Sequence, residues 1–428
     1  MRYIRRSRFV AICVALSTWA GVVWGQDQPI GSLAEKPSSA SLPPPFGECG
    51  LAYWSSNRNL DDVKAVANSF CSLNWKPKLA TGVGLGFNAR LNWQDQPSIA
   101  NSRHRVREAY LDAEEGASSV RLGRQILAWG RADRINPTDS LSPRDFTALV
   151  TEDEDQRTGI DAVRLSYALN PALTFIAVAA RFAPNAAPQG SLPRNRVIAA
   201  EPDQAEWAFK LDHSGSGLDW SLSYFAGYER QSRYRFDNQI ASEPVFLSDF
   251  ERMKTFGADF AGALGAWTWR GEVSHSNLRP NCELCPATKR NISRAVFGFD
   301  RDFLDTMNVN VQLFTTSRTR YQNPDLVSAA FQVVQSGLNR LNAEYGDRET
   351  GLTLRFSDRL LNDKLKWELS AVLDLTGRGS AIRPRLTYAL SDHVKLSAGI
   401  DYFSGAAQSY FGTLSKNRLG FLVLSLVL

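Results

Sequence analysis

The chain is poor in the residues that reactive sites are built from. Its 428 residues include four histidines, five cysteines and three methionines. The histidines are His104, His213, His275 and His393, scattered rather than clustered. Only His275, in "VSHSN", sits beside serines and an asparagine, and adjacency in sequence makes no catalytic geometry. Beyond the first two dozen residues no apolar run approaches the roughly twenty residues of a spanning helix. No nucleotide-binding loop is present either. "GVGLGFN" from Gly82 is not followed by a helix, and alternating glycines suit a curved strand. These absences exclude a helical membrane protein and offer no enzyme, metal site or cofactor.

A lasting charge excess is also missing. The opening "MRYIRRSRFVAICVALSTWAGVVWGQD" has a basic start (Arg2, Arg5, Arg6, Arg8), a short apolar stretch from Phe9 to Trp19 and small residues near Gly25. It reads as a signal peptide over residues 1–25. Without it the chain keeps 45 Lys+Arg against 44 Asp+Glu, so the formal +5 largely disappears. No basic field remains for nucleic acid, and export removes that partner anyway. Cys13 leaves with the leader. Cys49, Cys71, Cys282 and Cys285 remain in an oxidising compartment, an even number that fits two disulfides.

Residues 26–72 read as a periplasmic segment. Pro29 to Phe46 has a linker's composition. In "NRNLDDVKAVANSF", from Asn57 to Phe70, Leu60, Val63, Val66, Ala67 and Phe70 recur at helical spacing, with Asp61 and Asp62 in the first turn. Cys49 and Cys71 flank this expected helix and would tie it down. It leaves room for a periplasmic partner.

From residue 73 to 428 the period is two. "KLKWELSAVLDL" places Leu365, Trp367, Leu369, Ala371 and Leu373 on one face, with Lys366, Glu368, Ser370 and Asp374 on the other. "AIRPRLTYAL", "AWTWRGEVS" and "MNVNVQL" alternate likewise. About sixteen such strands are expected: 78–93, 103–115, 119–129, 158–169, 172–182, 204–213, 217–229, 251–263, 265–276, 291–301, 304–317, 345–357, 363–376, 379–390, 393–404 and 417–428. Every second connection is short, and most of the others are long. Ten-residue dyad segments with connections sorted by parity mark an all-β, transmembrane antiparallel β-barrel, with tight periplasmic turns and long external loops. A soluble sandwich alternates too, but has no reason to sort its loops. Closure satisfies every backbone group where lipid cannot. Trp93, Trp129, Trp220, Tyr228, Tyr388 and Tyr402 suit interfacial girdles. The even strand number puts Cys49 and Cys71 on the periplasmic side and Cys282 and Cys285 outside, so the expected pairs are Cys49–Cys71 and Cys282–Cys285. The latter's CxxC has neither the α/β setting of a redox motif nor further zinc ligands beyond His275, and reads as a loop staple.

One stretch breaks the pattern. "RLGRQILAWGRADRINPTDSLSPRDFT" starts as a strand at Arg121 and turns polar after Trp129. Pro137 and Pro143 stiffen it, and "NPTD" reads as a turn. Arg131, Asp133, Arg134, Asp139, Arg144 and Asp145 are candidate pore-constriction residues if the loop 130–157 folds into the lumen. The alternative is a lid held on the barrel mouth by Arg–Asp pairs.

Gly123-Arg124-Gln125, Trp129-Gly130, Asp133, Asn136-Pro137 and Asp139 resemble the G-[RK]-Q…WG…D…NP-x-D stretch of porin-like outer-membrane families of unknown function, loosely similar to alginate-export barrels. The likeness covers about residues 121–157, with a looser one in "DYFSGAAQSYFGTLSKN". It implies a barrel in the cell outer membrane, inserted by the barrel-assembly machinery and bounded by outer-membrane lipid, and it implies transport. Fold alone does not give function. The expected activity is passive passage of small polar solutes, not catalysis. Expected lumen-lining residues are Arg164, Lys210, Arg270, Glu272, Arg294, Arg355, Lys366, Glu368, Asp374, Arg383, Arg385, Lys395 and Asp401, whose modest basic excess leans toward anions. The alternatives are an export conduit for a polysaccharide or small hydrophobic molecule, and a non-conducting scaffold.

Overall fold

The computed structural model describes residues 43–56, 65–94, 104–186, 196–198, 201–215, 217–237, 245–281, 289–303 and 306–428. Eighteen antiparallel strands form one closed sheet. They are β1 Phe46–Ser56, β2 Ala65–Trp75, β3 Val83–Gln94, β4 His104–Glu115, β5 Ser118–Gln125, β6 Ile160–Asn170, β7 Leu173–Arg181, β8 Ala205–His213, β9 Leu218–Tyr228, β10 Arg252–Leu264, β11 Trp267–Arg279, β12 Arg290–Phe303, β13 Met307–Arg318, β14 Arg348–Leu360, β15 Leu365–Asp374, β16 Gly379–Ala389, β17 Val394–Gly405 and β18 Leu419–Val427. Each pairs with the next, and β1 closes on β18 from Glu48↔Val427 to Ser56↔Leu419. A three-residue strand, Lys78–Ala80, lies beside β3. A second small sheet, Arg233–Asp237, Val245–Asp249 and Arg196–Ile198, belongs to the long-loop end. Among the described residues the α-helices are α1 Ala329–Leu341 and α2 Tyr410–Thr413.

The period-two code explains the wall. On β6, Val163, Leu165, Tyr167 and Leu169 are each exposed, while Ala162 is buried and Arg164 and Ser166 lie on the opposite face. On β18, Leu422, Leu424 and Leu426 point out, and Phe421, Val423 and Ser425 are buried within. The same alternation runs round the sheet and leaves a belt of exposed Leu, Val, Phe and aromatic side chains. A water-exposed belt of this extent would drive aggregation, whereas a membrane-spanning barrel requires it.

The sequence expectation of about sixteen strands is corrected to eighteen. The two additional strands, β1 and β2, occupy residues expected to be linker and periplasmic helix. Residues 65–70 of the expected helix are extended, and 57–64 lie outside the described residues. The reason is an altered code. Ala52, Trp54, Val66, Phe70, Phe421 and Val423 form an apolar cluster inside the barrel, with Leu149 packed against it. With apolar side chains on the inner face, β1 and β2 lack the polar alternation, and Val66–Phe70 imitates helical spacing. The Cys49–Cys71 disulfide is present, but it joins directly opposed residues of adjacent strands and does not clasp a helix. Cys282 and Cys285, and the proposed leader, lie outside the described residues.

Two expected girdle residues are elsewhere. Trp129 is buried in an inner cluster with Leu141, Ile160, Val178 and Phe225. Tyr228 is buried edge-on against Phe182. Trp93, Tyr388 and Tyr402 are exposed on the outer face.

Candidate functional site

The chain leaves the wall at Gln125, four residues earlier than the alternation suggests. Gly123 has φ +126°, and a Cβ there would lie 2.4 Å from Ala109 O. Arg124 grips Asp161 on β6 at 2.9 Å. Gln125, fully buried, donates its Nε2 to Ala162 O at 3.0 Å. Ile126 N then donates to the Glu108 carboxylate at 3.1 Å. Leu127 and Trp129 turn into the inner apolar cluster. The "GRQ" triplet is thus the point where strand becomes internal loop.

Residues 126–159 touch the wall on many sides. Arg131 lies between Asp212 on β8, at 2.8 Å, and Asp259 on β10. Asp133 meets Arg355 on β14 at 3.3 Å. The Gln312 amide on β13, turned with its nitrogen toward Asp133 O, spans the Asp133 backbone at 2.8 and 2.9 Å. Arg134, at φ +66°, joins Glu368 on β15 at 2.8 Å and Asp153 at 3.1 Å. Asp153 also meets Arg383 on β16 at 2.8 Å, and Glu152 meets Arg385 at 3.5 Å. Asp155 is held by Arg107 on β4 at 2.9 Å and Arg90 on β3 at 3.4 Å. Asp145 pairs with Arg105 on β4, and Asp139 with Arg157 within the loop. One segment can bond to β3, β4, β8, β10, β11 and β13–β16 of a closed barrel only by lying across its interior.

Glu272 on β11 is the main anchor. Its carboxylate is 1% exposed. It accepts from the backbone N–H of Arg131 at 2.6 Å, of Ala132 at 2.5 Å and of Thr138 at 3.2 Å. Thr138 Oγ1 adds a bond at 2.9 Å and Asn136 Nδ2 one at 3.2 Å. Gly130, at φ +100°, lets the loop approach, since a Cβ there would stand 2.5 Å from Glu272 Oε1. A nest of successive N–H groups is a natural anion site, here filled by the protein's own carboxylate. Gly130, Asn136 and Thr138 of the recognised stretch all serve this contact.

The expected charges are therefore brought together, but in different pairs. The acids were expected to pair with loop arginines. Asp139 does so, with Arg157, whereas Asp133 and Asp145 pair with wall arginines. Arg144 makes no ion pair among the described residues; its backbone N–H donates to Asn185 Oδ1 at 2.7 Å. On the inward face, Lys210 meets Asp212 at 3.1 Å, Arg270 meets Asp300, and Asp401 meets Arg383 at 3.2 Å. Asp374 accepts from Gly377 N at 2.7 Å. Arg164 bonds Ser166 Oγ at 3.2 Å. Arg164, Arg294, Lys366 and Lys395 make no ion pair among the described residues. Sequence reasoning missed Asp212, Asp259, Arg90, Arg105 and Arg107. All sit on strands, most of them alternating with outward apolar neighbours, so the dyad rule applied to every strand would have found them.

Two loop carboxylates shift in opposite directions. Burial pushes Glu152 up, and Arg385 opposes this incompletely. Burial would raise Asp153 too, but Arg383, Arg134 and Arg385 hold it below the usual carboxylate range. His275, the one histidine with serine neighbours, has its Nδ1 2.8 Å from Ser293 Oγ, and both are exposed on the outer face.

A family model described as "Protein of unknown function (DUF1302)" matches residues 86–284, which include the whole internal loop. No curated protein sequence matches the chain. Among solved structures it is similar to Pseudomonas aeruginosa OccK5 (OpdH), at 12% identity and TM-score 0.51, over 90% of this chain and 97% of that one. It is similar to Acinetobacter baumannii OccAB1 at 8% identity and TM-score 0.56, over 90% and 96%. Pseudomonas aeruginosa OpdL gives 10% identity and TM-score 0.53, over 90% and 98%. These neighbours are outer-membrane β-barrel porins. At such identities the likeness carries the fold, a porin-like barrel.

Proposed function

We propose that the chain is an outer-membrane channel for small polar solutes, constricted by residues 126–159 and leaning weakly toward anions. The observation that carries this is the internal loop, a charged segment bonded to the wall on opposite sides of a closed barrel. Arg131, Asp133, Arg134, Asp139, Arg144 and Asp145 belong to that constriction. In it low-dielectric walls focus the field of each charge. Most carboxylates there are neutralised in pairs, while Arg144, Arg164 and Arg294 make no ion pair among the described residues, and that imbalance favours anions. One similar barrel, Pseudomonas aeruginosa OpdK, has been solved with vanillate, so a small organic anion of that kind is the first solute to test here. Single channels in planar bilayers supply the test. Purified protein should conduct, and deleting 138–156 should raise conductance several-fold while the barrel still inserts. If neither protein conducts, the barrel is a scaffold. If both conduct alike, the loop is not the constriction.

A further inference from the structure

We infer that the outer face of β10–β12, at the long-loop end, docks a phosphorylated, acylated glycolipid of the outer leaflet. The inference rests on the outer-membrane placement, and not on conduction. Arg252 and Lys254 on β10, Arg279 at the end of β11 and Lys289 just before β12 are exposed and share this face. Arg252 stands directly opposite Arg279, and Lys254 opposite Asn277. They border a groove of about 560 Å³ whose lining includes Trp207 and Phe256 and no carboxylate.

Like charges directly opposed across a ladder repel. Among the described residues none of the four makes an ion pair, and Arg252 Nε donates only to Asn281 Oδ1 at 2.8 Å. Two acids beside the start of β10 are turned inward and occupied. Glu251 is held by Arg235 and Arg290, and Asp249 by Arg235 and Asn281 N. Four cations without an ion pair among the described residues are thus offered to an external anion.

What lies beneath them selects its chemistry. Going down β10 from Lys254, the outward side chains are Phe256, Ala258 and Phe260, both rings exposed, and exposed Trp207 on β8 lies level with Lys254 across Ala226 of β9. A ligand with phosphates above and acyl chains below satisfies both halves. Asn277 and Asn291, paired across β11 and β12, and the His275–Ser293 bond form polar rungs suited to sugar hydroxyls and amides. A second copy of the chain is a poorer occupant, since a two-fold contact would bring this basic patch against itself.

The test uses the full chain in dodecyl maltoside micelles, titrated with bisphosphorylated lipid A and read by native mass spectrometry. The protein should retain lipid A through collision energies that strip detergent, and should lose it as salt rises. Arg252→Ser/Lys254→Ser/Arg279→Ser/Lys289→Ser should weaken retention at least tenfold. Arg359→Ser/Lys364→Ser, at the short-turn end, should not. Lipid A stripped of phosphate should bind weakly to both. Heat-modifiable migration verifies that the variants are folded. Equal retention by the fourfold variant, or equal retention of the dephosphorylated lipid, overturns the inference. So does a lipid-independent dimer cross-linked through Lys254 or Lys289. If lipid A binds as described and no channel conducts, the docking site stands and the channel reading falls.

Discussion

At the scale of single residues, the internal loop depends on Glu272. Its five hydrogen bonds come from the loop, three of them from backbone N–H groups. Removing a buried acceptor leaves each such donor with a desolvation cost of about 1–3 kcal/mol. Glu272→Ala should therefore cost at least about 2–3 kcal/mol of loop anchoring, and Gly130→Val should act similarly by displacing the carboxylate. Both variants should still form barrels. They should show noisy, enlarged conductance and faster proteolysis between residues 130 and 157. Quiet wild-type currents from Glu272→Ala would show that the nest is dispensable. Asp153 gives a pH handle of known sign. Its carboxyl is held below the usual range by Arg383, Arg134 and Arg385, against the pull of burial. Its contribution is therefore fully present above its ordinary pKa of about 3.9 and is lost as pH falls through the lower value of the folded state. Current recordings stepped down from pH 4 should show this end of the loop loosening. Asp153→Asn should show the loosened state already at pH 7.

At the scale of elements, the code is legible wherever the two faces of a strand meet different media. β15 is one such strand. Leu369 faces out and Ser370, one residue on, is buried within. Leu369→Arg should cost about 2–4 kcal/mol near the midplane, measured as a shift in urea-dependent folding into vesicles. Lys366→Gln, on the inner face at the mouth, should leave the transition unchanged. Equal damage from both would mean that the inner face is a packed core rather than a lumen. The same logic explains what could not be read. β1 and β2 carry Trp54, Val66 and Phe70 inward because Leu149 of the internal loop meets them there. No local pattern announces a contact between residues so far apart in sequence. The loop was visible as a broken strand with turn chemistry, and its charges as candidates. Their partners were not visible, because pairing depends on register. Glu272 was legible as an inward residue on β11, but its role as the loop's anchor needed the fold.

At the scale of the whole molecule, eighteen strands enclose an interior in which many charges are paired, so the selectivity of the proposed channel rests on which of them are not. Arg131 and Arg134 are each held between two acids. Neutralising them would release carboxylates as well as remove cations, and would mainly disturb the loop. Arg144, Arg164 and Arg294 have no acid partner among the described residues, and Arg164 and Arg294 share the inward face of β6 and β12. With Lys366 and Lys395 they are among the cations that an anion would meet in the proposed channel. Under a tenfold KCl gradient the wild-type reversal potential should lie on the chloride side of zero. Arg144→Gln/Arg164→Gln/Arg294→Gln should move it toward potassium without changing the insertion yield. The shift should be largest near 0.1 M salt, where charges act over about 10 Å, and small near 1 M, where the range is about 3 Å. A reversal potential that the triple variant leaves in place would assign the ion preference to the paired charges of the loop, or to none.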